Sequence, residues 1–273
     1  MPSERPTALV VRAAGTNCDA EMARAFALAG AEPRPIHIDR LIADPAPLRH
    51  AGLIGLPGGF SYGDDVASGR LLAARLRTTL LDPIRAAIDR GAAVIGVCNG
   101  FQVLVQAGLL PGWPGQRGPV AALVENESAR FIDRWARLEA PHAGAASRCV
   151  WTEPLRRATH GAELLLPVAH GEGRFVAPPE TLERLEAEGH VALRTTESLN
   201  GSAGRIAGLC DATGRVLGLM PHPERALEWS RHPWSTRLSP ETTRAEAPGL
   251  AMFRAAVESV TGDAPHAHAV AAP

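Results

Sequence analysis

The sequence contains no lysine, because all 28 of its basic residues are arginine. Without lysine the chain cannot form a P-loop of the Gly-Lys-Ser/Thr type. A Schiff-base lysine, a Ser–Lys dyad and a Cys–Glu–Lys arrangement are excluded for the same reason. If the chain takes part in ATP-driven chemistry, the lysine that conventionally binds the phosphates must come from another protein.

Cysteine is scarce and widely spaced, with no C-x-x-C pair among Cys18, Cys98, Cys149 and Cys210. This spacing indicates neither a disulfide framework nor a zinc site, so we expect reduced thiols and no bound metal. The net charge of −1 argues against a surface built mainly for nucleic acid or acidic lipid.

No targeting or membrane segment stands out. The N-terminus lacks the basic-then-apolar pattern of a secretory signal. Residues 91–116 carry no charged side chain, but their amides, glycines and proline are unsuited to a membrane span. We therefore expect a cytoplasmic protein with neither a membrane nor a nucleic-acid partner.

The first half of the chain alternates short apolar runs with helix-like stretches. Strands are predicted at residues 8–11, 35–38, 52–56 and 92–97, and helices at 19–29, 80–90 and 100–107. Asp19 is the expected N-cap of the first helix, and Gly30 its end. Continuous apolar strands that alternate with helices predict a parallel sheet covered on both faces.

The second half has a different pattern. Residues 120–124 and 131–138 resemble antiparallel strands, and 205–210 and 215–220 flank a hairpin turn. A last helix is predicted around residues 250–260, and 229–248 are expected to be irregular. The sequence thus predicts a single α/β domain over residues 7–262, with a mixed, mostly parallel sheet flanked by helices and an antiparallel extension. Residues 1–6 and 263–273 are expected to be flexible termini.

The strongest chemical signal is the GVCNG segment at residues 96–100, between an apolar strand and a helix. It has the form of a nucleophile elbow in which Cys98 replaces serine, and flanking glycines relieve the crowding of the tight turn. The turn would present Cys98 at the carboxyl end of the sheet and at a helix N-terminus, whose dipole favours a thiolate. The alternative is a buried structural cysteine beside packing glycines.

Two further segments could complete a thiol active site. In PHPE, residues 221–224, His222 and Glu224 would share a face of an extended strand, so that the carboxylate orients the imidazole as the base for Cys98. In PGGFS, residues 57–61, the amide of Gly58 or Gly59 could join that of Asn99 in an oxyanion hole. The alternatives are that PHPE is a solvated strand end and that PGGFS is a plain tight loop.

Five spaced segments resemble one known family, the glutamine amidotransferase subunit of phosphoribosylformylglycinamidine synthase. They are GTNCD at residues 15–19, PGGFSYGD at 57–64, GVCNGFQ at 96–102, PVAHGEG at 167–173 and PHPER at 221–225. The elbow and the PHPE segment are shared by class I glutamine amidotransferases in general. The segments at 57–64 and 167–173 are narrower and indicate the purine-pathway member.

This resemblance implies a flavodoxin-like sheet and hydrolysis of L-glutamine, with Cys98 as nucleophile, His222 as base and Glu224 as its orienting partner. It implies that ammonia passes to a large synthetase subunit that binds ATP and Mg²⁺, with a small bridging subunit and no cofactor in this chain. Gln102, His170 and Gly171 would help to bind the glutamine head group. A simpler interpretation is that Gln102 is an ordinary polar helix residue and that His170 and Gly171 belong to a surface turn. Cys18 is expected to be a buried thiol without a catalytic role.

Two other functions remain open on the sequence alone. Another cysteine hydrolase on a similar sheet would also use an elbow cysteine, but it would not need His222 and Glu224 two residues apart. A catalytically silent subunit that only binds partners is disfavoured by an intact Cys98, His222 and Glu224.

Overall fold

The structure, a computed structural model, describes residues 5–156 and 163–262. Its strands and helices follow in chain order: β1 (Thr7–Arg12), α1 (Asp19–Ala29), β2 (Glu32–His37), α2 (Ile38–Ala43), β3 (Leu53–Leu56), α3 (Arg70–Thr79), α4 (Leu81–Asp89), β4 (Ala93–Val97), α5 (Asn99–Gln106), β5 (Ala122–Val124), β6 (Ile132–Glu139), β7 (Leu165–His170), β8 (Arg174–Val176), α6 (Pro179–Ala187), β9 (Val191–Thr195), β10 (Ile206–Cys210), β11 (Val216–Leu219), α7 (Pro240–Arg244) and α8 (Pro248–Thr261).

Nine strands form one mixed sheet in the order β2-β1-β3-β4-β11-β10-β9-β6-β7. The first five run parallel, and β10, β9, β6 and β7 extend the sheet in antiparallel fashion. This arrangement confirms the predicted fold class. The short strands β5 and β8 pair separately.

The central strands are apolar because both faces of the sheet are covered. Every residue of β3, β4, β10 and β11 is buried. On one face, α8 packs against α1, where the rings of Phe26 and Phe253 meet edge to face with centroids 5.1 Å apart. This contact fixes the predicted last helix on the core.

The structure corrects several local predictions. Asp19 does not cap α1; Cys18 occupies the N-cap position without a side-chain cap, and Asp19 pairs with Arg12 at 3.0 Å. Gly30 does end the helix in the left-handed conformation. Helices α2, α3 and α6 and strands β7, β8 and β9 were not predicted. The segment 229–248 is irregular apart from two short 3-10 turns and α7.

Within the described ranges, no helix combines the length and the apolar character that a bilayer crossing requires. Residues 1–4 and 263–273, which include most of the termini predicted to be flexible, lie outside the described residues. The boundaries of a single domain at residues 7–262 stay a prediction.

Candidate active site

The parallel strands end at a common edge of the sheet, which brings four sequence segments together. In register, Gly96 of β4 lies beside Leu56 of β3 and Gly218 of β11. The chain segments that follow β1, β3, β4 and β11 therefore meet at this edge. They enclose a cavity of about 210 Å³ together with the end of β7. Its walls are formed by Asn17, Cys18, Gly59, Phe60, Asp64, Ser68, Cys98, Gln102, Phe131, Ala169, His170, Gly171, Glu172, His222 and Arg225.

Cys98 sits on a strained turn between β4 and α5, as the elbow motif predicts. Its backbone has φ 52° and ψ −107°, a conformation that residues other than glycine rarely adopt. A Cβ at position 96 would lie 2.5 Å from the carbonyl oxygen of Gly100, and one at position 100 would overlap the carbonyl oxygen of Leu56. Both flanking glycines are therefore required by close backbone packing.

The thiol of Cys98 lies in the wall of the cavity and does not project into open solvent. The residue is only 8% exposed, and its Sγ lies 3.7 Å from the carbonyl oxygen of Ala169. Asn99 is the first residue of α5, so its amide has no partner within the helix and is available to an oxyanion. Gly59 lines the same cavity at φ 137°.

His222 and Glu224 are paired beside this cavity. The imidazole Nδ1 lies 2.6 Å from the Glu224 Oε1, and both side chains are buried. The predicted extended strand is wrong: residues 223–225 form a 3-10 turn, and the pair meets across that turn. The His222 backbone amide donates to the carbonyl oxygen of Pro167, which ties the turn to β7.

The electrostatics of His222 favour its charged form. Burial alone would lower the pKa of the imidazole, but the charge of Glu224 and the neighbouring thiols of Cys18 and Cys98 outweigh it. The pKa of His222 is raised well above its ordinary value. Its Nε2 has no hydrogen-bond partner among the residues that the structure describes. The imidazole is therefore well placed to take a proton from a thiol.

Gly58 lets three reactive side chains approach one another. A Cβ at this position would lie 2.9 Å from the His222 ring, 3.2 Å from the Cys18 Sγ and 3.4 Å from the Cys98 Cβ. Cys18 is buried, as expected, but it lines the cavity and accepts a 3.1 Å hydrogen bond from Arg225. The sequence interpretation did not foresee that the first loop carries a second thiol to the base.

Gln102 lines the cavity, but its amide is occupied by protein groups. Its Nε2 donates to the carbonyl oxygen of Glu172 at 2.6 Å, and its Oε1 accepts from the Asn99 side chain at 3.1 Å. Gln102 thereby connects α5, which follows the nucleophile, to the loop that follows β7. Its predicted contact with glutamine stays a prediction.

His170 and Gly171 are at the end of β7 and also line the cavity. The Asn126 amide nitrogen donates to the His170 carbonyl oxygen, so the Asn126 Oδ1 accepts from the His170 Nδ1 at 3.1 Å and from the Gly173 amide. A Cβ at position 173 would overlap the His170 ring, which explains why this residue is a glycine. Burial, and then the charge of His222, lower the pKa of His170 to about 4.

Charged residues that the sequence interpretation did not select also line the cavity. Burial raises the pKa of Asp64, which accepts hydrogen bonds from Ser68 and Asn99. Glu172 accepts from the Ser68 amide at 3.2 Å. Among the described lining residues, Arg225 is the one arginine. Asp64 and Arg225 belong to the segments that carry the resemblance, so their position after β3 and β11 could have indicated them.

Comparisons with known proteins show which family the chain belongs to. A family model described as a CobB/CobQ-like glutamine amidotransferase domain matches residues 5–260. The phosphoribosylformylglycinamidine synthase subunit PurQ of Dehalococcoides mccartyi is 40% identical over 257 residues, covering 92% of this chain and 96% of the relative. The subunit of the same name from Mycobacterium bovis is 41% identical over 254 residues, with the same coverage.

A solved structure is similar over nearly the whole chain. A chain in the structure of PurLQS from Thermotoga maritima is 32% identical with a TM-score of 0.68, covering 93% of this chain and 98% of that one. A glutamine amido transferase from Methylobacillus flagellatus, 18% identical with a TM-score of 0.51, has the same fold; 95% of this chain and 94% of that chain are covered. The chain belongs to the CobB/CobQ-like glutamine amidotransferase family.

Proposed function

We propose that this chain is the glutaminase subunit of phosphoribosylformylglycinamidine synthase. It hydrolyses L-glutamine to glutamate and ammonia and delivers the ammonia to a separate ATP-dependent synthetase subunit in de novo purine biosynthesis. The observation that carries the proposal is the meeting of Cys98, on its strained turn, with the His222–Glu224 pair at one cavity. The named relatives and the PurLQS structure support the same assignment.

The geometry supports a thioester mechanism. His222 takes the proton of the Cys98 thiol, and the sulfur attacks the side-chain amide carbon of glutamine. The tetrahedral oxyanion is stabilised by the free amide of Asn99 and by that of Gly59. His222 then returns the proton to the leaving nitrogen, ammonia departs, and water hydrolyses the glutamyl thioester to glutamate.

The cavity also has the charges that free glutamine needs. Glutamine carries an α-ammonium and an α-carboxylate, and the lining includes two carboxylates, Asp64 and Glu172, and the guanidinium of Arg225. We assign Gln102, His170 and Gly171 to the same wall, where they hold the head group. The site therefore accepts a small zwitterion through a few placed polar groups.

The proposal places ATP and Mg²⁺ on the large synthetase subunit, and the lack of lysine in this chain is compatible with that division of labour. A small bridging subunit joins the two, and the chain itself needs no cofactor. We also propose a cytoplasmic location, where thiols such as that of Cys98 stay reduced. These partner and location assignments depend on the proposed function.

Reconstitution with a candidate synthetase tests the proposal. The wild-type complex should form product from either glutamine or ammonium. Cys98→Ala should abolish glutamine-dependent synthesis and leave ammonium-dependent synthesis unchanged, because the synthetase remains intact. A glutamyl thioester on Cys98, trapped in the wild type and detected by mass spectrometry, would identify the nucleophile directly.

Cys149→Ala is the matched control, since Cys149 is a buried thiol that does not line the cavity. It should retain both activities. Glutamine-dependent synthesis that survives in Cys98→Ala would show that the nucleophile is wrongly assigned. A stable complex that synthesises product from ammonium but never from glutamine would instead support a silent partner-binding subunit.

A further inference from the structure

The oxyanion hole of the proposed glutaminase is divided between two segments of the chain. The amide of Gly59 belongs to the loop after β3, whereas that of Asn99 begins α5. Two amides stabilise an oxyanion only when both donors are held about 3 Å from the developing charge. The pairing of β3 with β4 fixes the strands, but both donors lie beyond the strand ends. The loop and α5 therefore depend on contacts outside the sheet to keep the two amides in place.

A closed ring of five hydrogen bonds provides such contacts. The side-chain nitrogen of Asn99 donates to the Asp64 Oδ1 at 3.3 Å and to the Gln102 Oε1 at 3.1 Å. The Gln102 Nε2 donates to the carbonyl oxygen of Glu172 at 2.6 Å, and the Glu172 Oε2 accepts from the Ser68 amide at 3.2 Å. The Ser68 hydroxyl closes the ring by donating to the Asp64 Oδ2 at 3.0 Å. This hydrogen-bond ring joins the loop after β3, the start of α5 and the loop after β7.

Asp64 connects the two halves of the oxyanion hole within the hydrogen-bond ring. It lies on the same loop as Gly59, and its carboxylate accepts a hydrogen bond from the Asn99 side chain. Asn99 is buried, so removal of this acceptor would leave one of its side-chain N–H groups without a partner. Both carboxylate oxygens of Asp64 accept hydrogen bonds from protein groups, which commits the carboxylate to the ring.

The backbone that carries Asp64 is strained, which is an observation independent of the hydrogen bonds. Tyr62, Gly63 and Asp64 have φ values of 58°, 71° and 52°, so three consecutive residues lie in the left-handed region. Glycine adopts this conformation freely, and aspartate and asparagine tolerate it better than most other residues. Such strain persists where the surrounding structure holds it in place, and it clusters at functional sites. Here the strained turn brings the Asp64 carboxylate to the Asn99 side chain.

We propose that Asp64 is a positioning residue, which acts through the Asn99 side chain to hold the backbone amide of Asn99 at a fixed distance from that of Gly59. Asp64 does not touch the reacting atoms, and Glu172 is left as the carboxylate for the α-ammonium of glutamine. The inference rests on the proposed function, because the oxyanion forms from the glutamine amide. The role of Asp64 lies in kcat and not in KM, since the hole binds negative charge only in the transition state and the tetrahedral intermediate.

The kinetics of glutamate release by the reconstituted complex test this role. Asp64→Gly removes the carboxylate and adds no strain at φ 52°. It should lower kcat roughly 10- to 100-fold and leave KM for glutamine within about threefold of the wild type. Asp64→Asn keeps an acceptor for Asn99 and should retain kcat within about fivefold. Asp65→Gly is the matched control, because Asp65 is an exposed neighbour that does not line the cavity, and it should behave as the wild type.

A measurement on the free chain separates positioning of the oxyanion hole from damage to the nucleophile. Iodoacetamide alkylates a thiolate by displacing iodide, a reaction that needs no oxyanion hole. Alkylation of Cys98, followed by peptide mass spectrometry, should proceed in Asp64→Gly within about twofold of the wild-type rate. Ser68→Ala removes one hydrogen bond of the ring and keeps Asp64 itself. It should lower kcat by roughly threefold or more, with the same unchanged alkylation.

Several results would overturn the inference. One is a kcat within about threefold of the wild type in Asp64→Gly or an unchanged kcat in Ser68→Ala. Another is a KM raised about tenfold at constant kcat, because Asp64 would then bind the glutamine head group directly. An equal loss of kcat in Asp64→Asn and Asp64→Gly, or slower alkylation of Cys98, would also contradict it. A wild-type complex that releases no glutamate would refute the proposed function itself, and this inference with it.

Discussion

Acidification should destabilise the protein through His170. The imidazole is buried, and its neutral form donates from Nδ1 to Asn126. Its pKa is about 4 in the folded chain, against an ordinary value of 6.5. A histidine whose pKa is depressed by folding stabilises the folded state fully above the unfolded pKa. That contribution is lost as the pH falls toward the folded pKa.

The size of the effect follows from the two pKa values. Near pH 7.5 His170 is almost entirely neutral in both the folded and the unfolded chain, so its protonation does not change the free energy of unfolding. At pH 5 His170 is mostly protonated in the unfolded chain and mostly neutral in the folded chain. The free energy of unfolding should therefore drop by about 2 kcal/mol between these pH values through this one residue.

The matched variant is His170→Asn, because an asparagine amide places a donor near the position of Nδ1 and does not titrate. Urea unfolding of both proteins, followed by tryptophan fluorescence, gives the free energy of unfolding at pH 7.5, 6 and 5. Other titrating groups are common to the two proteins, so the difference between the two pH profiles isolates His170. The wild type should lose about 2 kcal/mol more than the variant. Parallel profiles would refute the reasoning, since they would mean that folding does not shift this pKa.

Two further substitutions and one comparison of the free subunit with the complex give further tests. Gly96→Ala should lower the free energy of unfolding by about 3 kcal/mol or more in urea titrations, because the new Cβ meets the Gly100 carbonyl. Gly118→Ala is the control, because no atom of the described residues lies within 4 Å of the new Cβ, and its free energy of unfolding should stay within about 0.5 kcal/mol of the wild type. Glu224→Gln should reduce kcat for glutamine by roughly 10²- to 10⁴-fold, because the imidazole loses its carboxylate partner, and ammonium-dependent synthesis should be unaffected. Glutamine hydrolysis by the free subunit should be low and should rise on complex formation with nucleotide bound, since uncoupled hydrolysis wastes glutamine; equal turnover in both states would contradict the coupling.

The sequence predicts the elements that are strongly apolar or sharply ended. Helix α1 has its predicted bounds because Gly30 ends it in the left-handed conformation. Strands β3 and β4 are recognisable because both faces are buried, so that their sequences are continuous apolar runs. Helix α3 was missed because its sequence is rich in arginine and its N-cap is Gly69, which provides no side-chain signal.

For the site, the sequence identifies residue types but not their distances. The motifs bring Cys98, His222 and Glu224 to one edge because they follow parallel neighbouring strands. The pairing of His222 with Glu224 was predicted for the wrong reason, since a 3-10 turn and not an extended strand joins them. Asn126, which fixes the His170 side chain, lies in no motif and depends on tertiary packing alone.

Cys18 shows that spacing in the sequence does not reveal which residues the fold brings together. The spacing of cysteines in the sequence detects only local motifs such as C-x-x-C, whose members are near neighbours in the chain. A parallel sheet creates another kind of neighbourhood, in which loops that are distant in sequence meet at one edge. Gly58, which has no side chain, leaves room there for the Cys18 sulfur to approach the His222 ring. The packing that brings the base to the nucleophile thus also brings a second thiol, that of Cys18, to the same base.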